Sequence, residues 1–230
     1  MKRFKTILWD VDNTLLDFDK SEDYALRYSF EQFGKKIDTK TVHLYSKINM
    51  SYWESLERGE ITKDKVLSGR FESLFKELLI SDIPVGEFQA IYQKALGSVA
   101  YYKDDAYRLC KELSKEFKQY VVTNGVTITQ QSKMKLSGFD KIMDDIFISE
   151  KIGNPKPSPL FFEDCFKMIP GFEREKTIII GDSLTSDMKG GNNAGIFCCW
   201  YNPKGSKNTG DVKVDFEIKN LWEVKEILYG

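Results

Sequence analysis

From about residue 103 onward, short β-branched stretches alternate with segments of helical periodicity. Strand patterns fall at Tyr120–Asn124, Asp145–Ser149, Thr177–Gly181, Ile196–Tyr201 and Asp215–Ile218, with another at Lys5–Asp10 near the start. Between and after them lie helical patterns at Asp104–Phe117, Thr127–Leu136, Pro159–Met168, Ser186–Ala194 and Leu221–Leu228. Gly138 and Gly195 stand where two of these helices should stop. Strands alternating with helices build parallel βαβ units, and the helices then cover both faces of the sheet. The expected fold class is α/β, a Rossmann-like core whose ligands bind at the carboxyl ends of the strands.

One segment breaks the rhythm. Residues 17–99 carry helical periodicity and no clear strand. The predicted helices are Ser21–Phe33, Thr39–Arg58, Thr62–Leu79 and Pro84–Leu96. Gly34 and Gly59 fit helix ends, Thr62 fits an N-cap and Pro84 a first helical position. The expected organisation is an α/β core from residues 1–16 and 100–230, with a four-helix unit, 17–99, inserted after the first strand.

Four polar clusters fall where strands end. The first is Asp10-Val11-Asp12-Asn13-Thr14. If strand geometry persists, Asp10 and Asp12 project to the same side, because alternate residues share a face. Two carboxylates so close repel and require a cation, a shared proton, or both. An Asx-capped turn would leave the same residues. The second cluster is Thr123-Asn124-Gly125, whose hydroxyl, amide and backbone N–H groups can bind an anion and can equally form an ordinary turn. The third, Lys156-Pro157-Ser158-Pro159, holds a lysine in a proline-stiffened loop. The fourth is Gly181-Asp182-Ser183-Leu184-Thr185-Ser186-Asp187, with one carboxylate at the strand end and another where a helix dipole favours it. Together these clusters supply several carboxylates, a lysine and neutral donors at one edge of a parallel sheet. That set suits a phosphate ester beside Mg2+, a cation that takes hard oxygen ligands. The metal and Lys156 would offset the repulsion between an attacking carboxylate and the phosphate dianion.

Composition removes several other chemistries. The single histidine, His43, excludes a histidine-based triad and a histidine-rich zinc site. The four cysteines, Cys110, Cys165, Cys198 and Cys199, form no CxxC pair and read as buried thiols of a cytoplasmic protein. Cys198 and Cys199 should point to opposite faces of a strand. A net charge of -1 gives no field for a nucleic acid polymer or a membrane surface. No apolar run approaches the ~18 residues needed to span a bilayer. Asp10 and Asp12 interrupt the only early apolar run, so the start does not read as a signal peptide. The expected partner is a small phosphorylated metabolite, bound by a monomer or a small homo-oligomer.

The segments DVDNT, TNG, KP and GDSLTSD resemble, in order, the four motifs of the haloacid dehalogenase-like superfamily, and the helical insert resembles its type C1 cap. The resemblance implies that Asp10 attacks phosphorus to form an aspartyl-phosphate. It implies that Asp12 protonates the leaving oxygen and then activates water. Thr123, Asn124 and Gly125 would bind phosphate, and Lys156 would steady nucleophile and phosphate. Asp10, Asp182 and the backbone carbonyl of Asp12 would hold Mg2+, with Asp187 just outside, beside a bound water or Lys156. The second aspartate favours phosphate transfer over dehalogenation, which needs no acid for an alkoxide; transfer to a sugar remains open. LLDFDKS, GEITKDKVLSGRFESLF, VTNGVTITQQSKMKLSGF, SEKIGNPKP and GGNNAGIFCCWYN are similar to the noncanonical pyrimidine 5'-nucleotidase branch. The alternatives are a sugar-phosphate or N-acylneuraminate-9-phosphate phosphatase. From another class come a receiver-like protein that accepts phosphate on aspartate and a partner-binding protein that has lost catalysis. In the insert, Phe18, Trp53, Arg70 and Phe71 are candidates to read the leaving group. Helical packing explains the aromatics better, and a surface salt bridge explains Arg70 equally well.

Overall fold

In the computed structural model, residues 3–208 and 210–230 are described. The chain divides into two compact units, residues 1–17 with 100–230 and residues 18–99.

The first unit is built on a six-stranded, fully parallel sheet. Its strands are β1 (Thr6–Trp9), β2 (Lys118–Thr123), β3 (Asp145–Ile148), β4 (Thr177–Gly181), β5 (Phe197–Tyr201) and β6 (Phe216–Ile218), in the spatial order β3-β2-β1-β4-β5-β6. β1 lies between β2 and β4, with Trp9 abreast of Val121 on one side and Ile180 on the other. The strand order reverses direction at β1, and ligands of such sheets bind outside the strand ends at that point. Alternation assigns the side chains to two buried cores. Ile7, Trp9, Val121, Ile178, Ile180 and Cys199 face one. Leu8, Tyr120, Val122, Ile179, Cys198 and Trp200 face the other. Cys198 and Cys199 thus point to opposite faces, and all four cysteines are buried free thiols.

The remaining helices follow the sequence pattern with local departures. In the insert they are α1 (Phe18–Gln32), α2 (Thr39–Glu57), α3 (Lys63–Glu77) and α4 (Val85–Leu96). In the first unit they are α5 (Ala106–Leu113), α6 (Thr127–Ser137), α7 (Ser149–Ile152), α8 (Pro159–Met168), α9 (Lys189–Ala194) and α10 (Val224–Tyr229). α5 begins later than the expected Asp104 because Asp104 and Asp105 hold positive φ, 45° and 54°, outside the right-handed helical region. The helix expected over Ser186–Ala194 is two pieces. A π-helical turn spans Leu184–Met188, and only then does α9 start. Such π turns concentrate at functional sites. α7 is a single helical turn after β3, too short to show a periodicity in the sequence.

The second unit has a core of its own, made of Ala25, Leu26, Phe30, Val42, Tyr45, Phe71, Leu74, Phe75, Phe88 and Tyr92 with their neighbours. Thr62 caps α3 by accepting from Lys65 N–H, as its residue type predicts. Phe71 belongs to this core. Arg70 is not at the surface, where the salt-bridge reading placed it. It is 1% exposed, donates to Asn49 Oδ1 at 2.8 Å and Gln89 Oε1 at 3.0 Å, and lies against the Phe71 and Tyr92 rings. Val66, Phe71, Leu74 and Phe75 recur at helical spacing and draw this face of α3 inward, and the arginine goes with it. Among the described residues no helix is long and apolar enough to cross a membrane.

Candidate active site

All four clusters lie at the carboxyl edge of the central strands. Asp10 follows β1 directly, and its backbone N–H still donates to Ile180 O at 2.9 Å, extending the pairing with β4 by one residue. The carboxylate therefore leaves the sheet at a fixed point. Asp182 follows β4, the neighbouring strand. Thr123 ends β2, the neighbour on the other side.

Lys156 is the hub. It is 1% exposed, and its Nζ donates to Asp10 Oδ1, Asp187 Oδ1 and Val122 O, each at 2.7 Å. An ammonium has three protons, and all three are used. Its loop is anchored by Asn124. The Asn124 amide donates to Lys156 O and its carbonyl accepts from Lys156 N–H, both at 2.8 Å. In the TNG pattern Asn124 has the look of a phosphate ligand; its side chain is tied to the lysine loop. Thr123 Oγ1 accepts from Gly125 N–H at 3.1 Å, which turns the hydroxyl proton toward another acceptor.

Asp187 enters from the π-helical turn. Ser183 N–H donates to its Oδ2 at 3.1 Å, while Lys156 holds Oδ1. Oxygens of Asp10, Asp182 and Asp187 lie within 4.8 Å of one another. One lysine charge faces three carboxylates, so the group carries excess negative charge in a buried place. Burial, then repulsion from Asp187, pushes the Asp10 carboxyl up from 3.8 to about 7, although Lys156 pulls it down. Burial and the Asp10 and Asp187 charges likewise hold Asp182 well above the ordinary range. Burial alone would lower Lys156, but the two aspartates outweigh it and raise it above the usual lysine value. A divalent cation with oxygen ligands is the group that relieves this imbalance, and the donor set fits it.

Three residues of this site carried no role in the sequence reading. Thr14, fully buried, accepts from Asp182 N–H at 3.1 Å and so joins the first and fourth clusters. Gln130 and Lys133 of α6 both donate to the Asp12 carboxylate, Lys133 Nζ to Oδ1 at 2.7 Å and Gln130 Nε2 to Oδ2. A signal existed. Gln130, Lys133, Met134 and Ser137 are the i, i+3, i+4, i+7 stripe of a helix and are buried, yet only Met134 is apolar. A polar stripe on an inward face demands partners.

The sequence of residues 7–201 matches the family model described as haloacid dehalogenase-like hydrolase. HAD-hydrolase YfnB of Bacillus subtilis is 39% identical over 228 residues, covering 99% of this chain and 97% of YfnB. Pyrimidine 5'-nucleotidase PynA of Streptococcus pneumoniae is 35% identical, covering 98% of this chain and 95% of PynA. A crystal structure of YfnB bound to magnesium superposes with a TM-score of 0.94 at 38% identity, over 99% of each chain.

Proposed function

The chain belongs to the haloacid dehalogenase-like hydrolase family, and we propose that it is a Mg2+-dependent phosphomonoesterase acting on pyrimidine nucleoside 5'-monophosphates through an aspartyl-phosphate on Asp10. The observation that carries the chemistry is the triad of bonds from Lys156, which fixes Asp10 beside Asp182 and Asp187 in a buried, over-negative cluster. The substrate class rests on the likeness to PynA, a pyrimidine 5'-nucleotidase, over nearly the whole of both chains.

Lys156 occupies Oδ1 of Asp10, so attack on phosphorus falls to Oδ2. The P–O bond to the leaving group breaks as the Asp10–phosphorus bond forms, and Asp12 gives the leaving oxygen its proton. Asp12 then takes a proton from the water that splits the aspartyl-phosphate, which returns Asp10 as a carboxylate and releases inorganic phosphate. Thr123 offers its hydroxyl to the phosphate, and Asn124 offers backbone rather than side chain. Lys156 balances charge as phosphate arrives. Asp10, Asp182 and the main-chain carbonyl of Asp12 would hold Mg2+, with Asp187 alongside. When bound, Mg2+ supplies Lewis-acid polarisation of the phosphoryl group and neutralises charge. The helical unit, residues 17–99, is assigned the part of a cap that excludes water and reads the leaving group.

The test is a panel of nucleoside monophosphates, sugar phosphates and N-acylneuraminate 9-phosphate, each with and without Mg2+. UMP, dUMP or dTMP should give the highest kcat/KM, and Asp10→Asn should abolish phosphate release while the far-UV CD spectrum is unchanged. A preferred sugar phosphate would sink the nucleotidase reading. Full activity in D10N would sink the nucleophile.

A further inference from the structure

Asp12 is held by a pair of side chains that stability does not explain. Lys133 is 0% exposed and Gln130 1% exposed. Burying a lysine costs hydration, and an apolar residue of similar volume is usually as stable or more so. The Gln130 amide is in a similar position. Its Nε2 reaches Asp12, but its Oε1, also buried, finds no hydrogen-bond partner among the described residues. An orphaned buried acceptor costs roughly 1–3 kcal/mol. The fold also makes room for this arrangement. A Cβ on Gly125 would lie 2.1 Å from Gln130 Nε2 and 2.7 Å from its Cδ, so the amide reaches Asp12 only because residue 125 has no side chain. Three departures from good packing converge on one carboxylate. That carboxylate is only partly exposed, with 27% of its side-chain surface open.

Resting on the phosphatase reading above, we infer that Lys133 and Gln130 are positioning residues for Asp12, which hold one carboxylate oxygen each and set the direction of proton transfer to the leaving oxygen. Both residues act through Asp12, the group each of them donates to. The two bonds come from successive turns of one helix, at i and i+3, so they restrain rotation about both side-chain torsions of Asp12. Without them the Asp12 side chain is free to leave the edge of the site. Proton delivery should then fail while nucleophile, lysine and phosphate donors stay in place.

The experiment compares two esters. An alkyl phosphate such as UMP needs a proton on its leaving oxygen, and p-nitrophenyl phosphate scarcely does. For an enzyme that passes through a phosphoenzyme, kcat/KM reports only the steps up to phosphorylation of Asp10. Lys133→Met should lower kcat/KM for the alkyl ester by roughly 100-fold and for p-nitrophenyl phosphate by less than about 5-fold, within the usual range of general-acid effects. Lys133→Arg, which keeps a donor, should regain at least about tenfold of that loss. Equal losses on both esters, or none on either, overturn the positioning role. Should K133M fail to fold, Gln130→Leu, which removes no charge, carries the same comparison. A crystal structure of the folded variant gives a readout apart from activity: an unmoved Asp12 carboxylate overturns the inference by itself. Wild-type protein that hydrolyses neither ester overturns the phosphatase reading and the proton-transfer assignment with it.

Discussion

A methyl group on Gly181 would come within 2.2 Å of Asp187 Oδ2. The last residue of β4 is therefore glycine because the carboxylate that braces Lys156 passes directly over it. Gly181→Ala should push Asp187 off Lys156, unfold with about 1–3 kcal/mol less stability, and lose most phosphatase activity. Urea unfolding and phosphate release measure the two effects. A fully active G181A would show that the Lys156–Asp187 bond is dispensable.

Asn124 clamps the Lys156 loop by a matched pair of bonds at 2.8 Å. Asn124→Ala should lower kcat by about tenfold or more through a misplaced lysine, with stability reduced by roughly 1–3 kcal/mol. If the side chain instead bound phosphate, KM and the inhibition constant of inorganic phosphate would carry the change, with kcat nearly kept.

Metal binding should appear without turnover. Mg2+ should raise the melting temperature of wild-type protein in a concentration-dependent way, because a ligand of the native state stabilises it by mass action. Asp182→Asn should abolish that rise, and a chelator should abolish phosphate release by the wild type. A D182N melting curve that still climbs with Mg2+ would remove Asp182 from the metal site.

Glu22 in α1 is 3% exposed, and burial pushes it up from 4.5 to about 7, although Ser46 and Asn49 donate to it. The native state then holds a proton that the unfolded state releases between pH 4.5 and 7, so stability is present below pH 4.5 and is lost as pH rises through 7. Glu22→Gln should be more stable than wild type at pH 8 by about 1–3 kcal/mol and indistinguishable near pH 4. Chemical unfolding at the two pH values decides it. A constant difference between the proteins would refute the burial account.

The edge of the sheet where the polar clusters gather was legible because each piece is local. A short β-branched run ending in DVDNT, TNG or GDS announces a strand and what stands at its end, and parallel βαβ connectivity sends all the ends the same way. Element boundaries were less legible. The start of α5 is set by two aspartates at positive φ, and the π-helical turn by Ser183 and Asp187 bonding across it. Both depend on partners the local pattern does not display. Arg70 was open to two readings for a related reason: its charge allows a surface salt bridge, whereas the helix face it shares with Phe71 and Leu74 is buried.

By itself the sequence determined the α/β class, the helical insert and the residues at the strand ends, since periodicity and strand termination are properties of contiguous residues. Only the tertiary structure decided what those residues do to one another. It spent the Asn124 amide on a loop 32 positions away, joined Thr14 to Asp182, and brought Gln130 and Lys133 to a carboxylate 118 and 121 positions earlier. Such contacts follow from strand order and from the placing of α6 beside the segment that follows β1. No short stretch of sequence encodes either, because a buried charge is acceptable only where the fold supplies its partner.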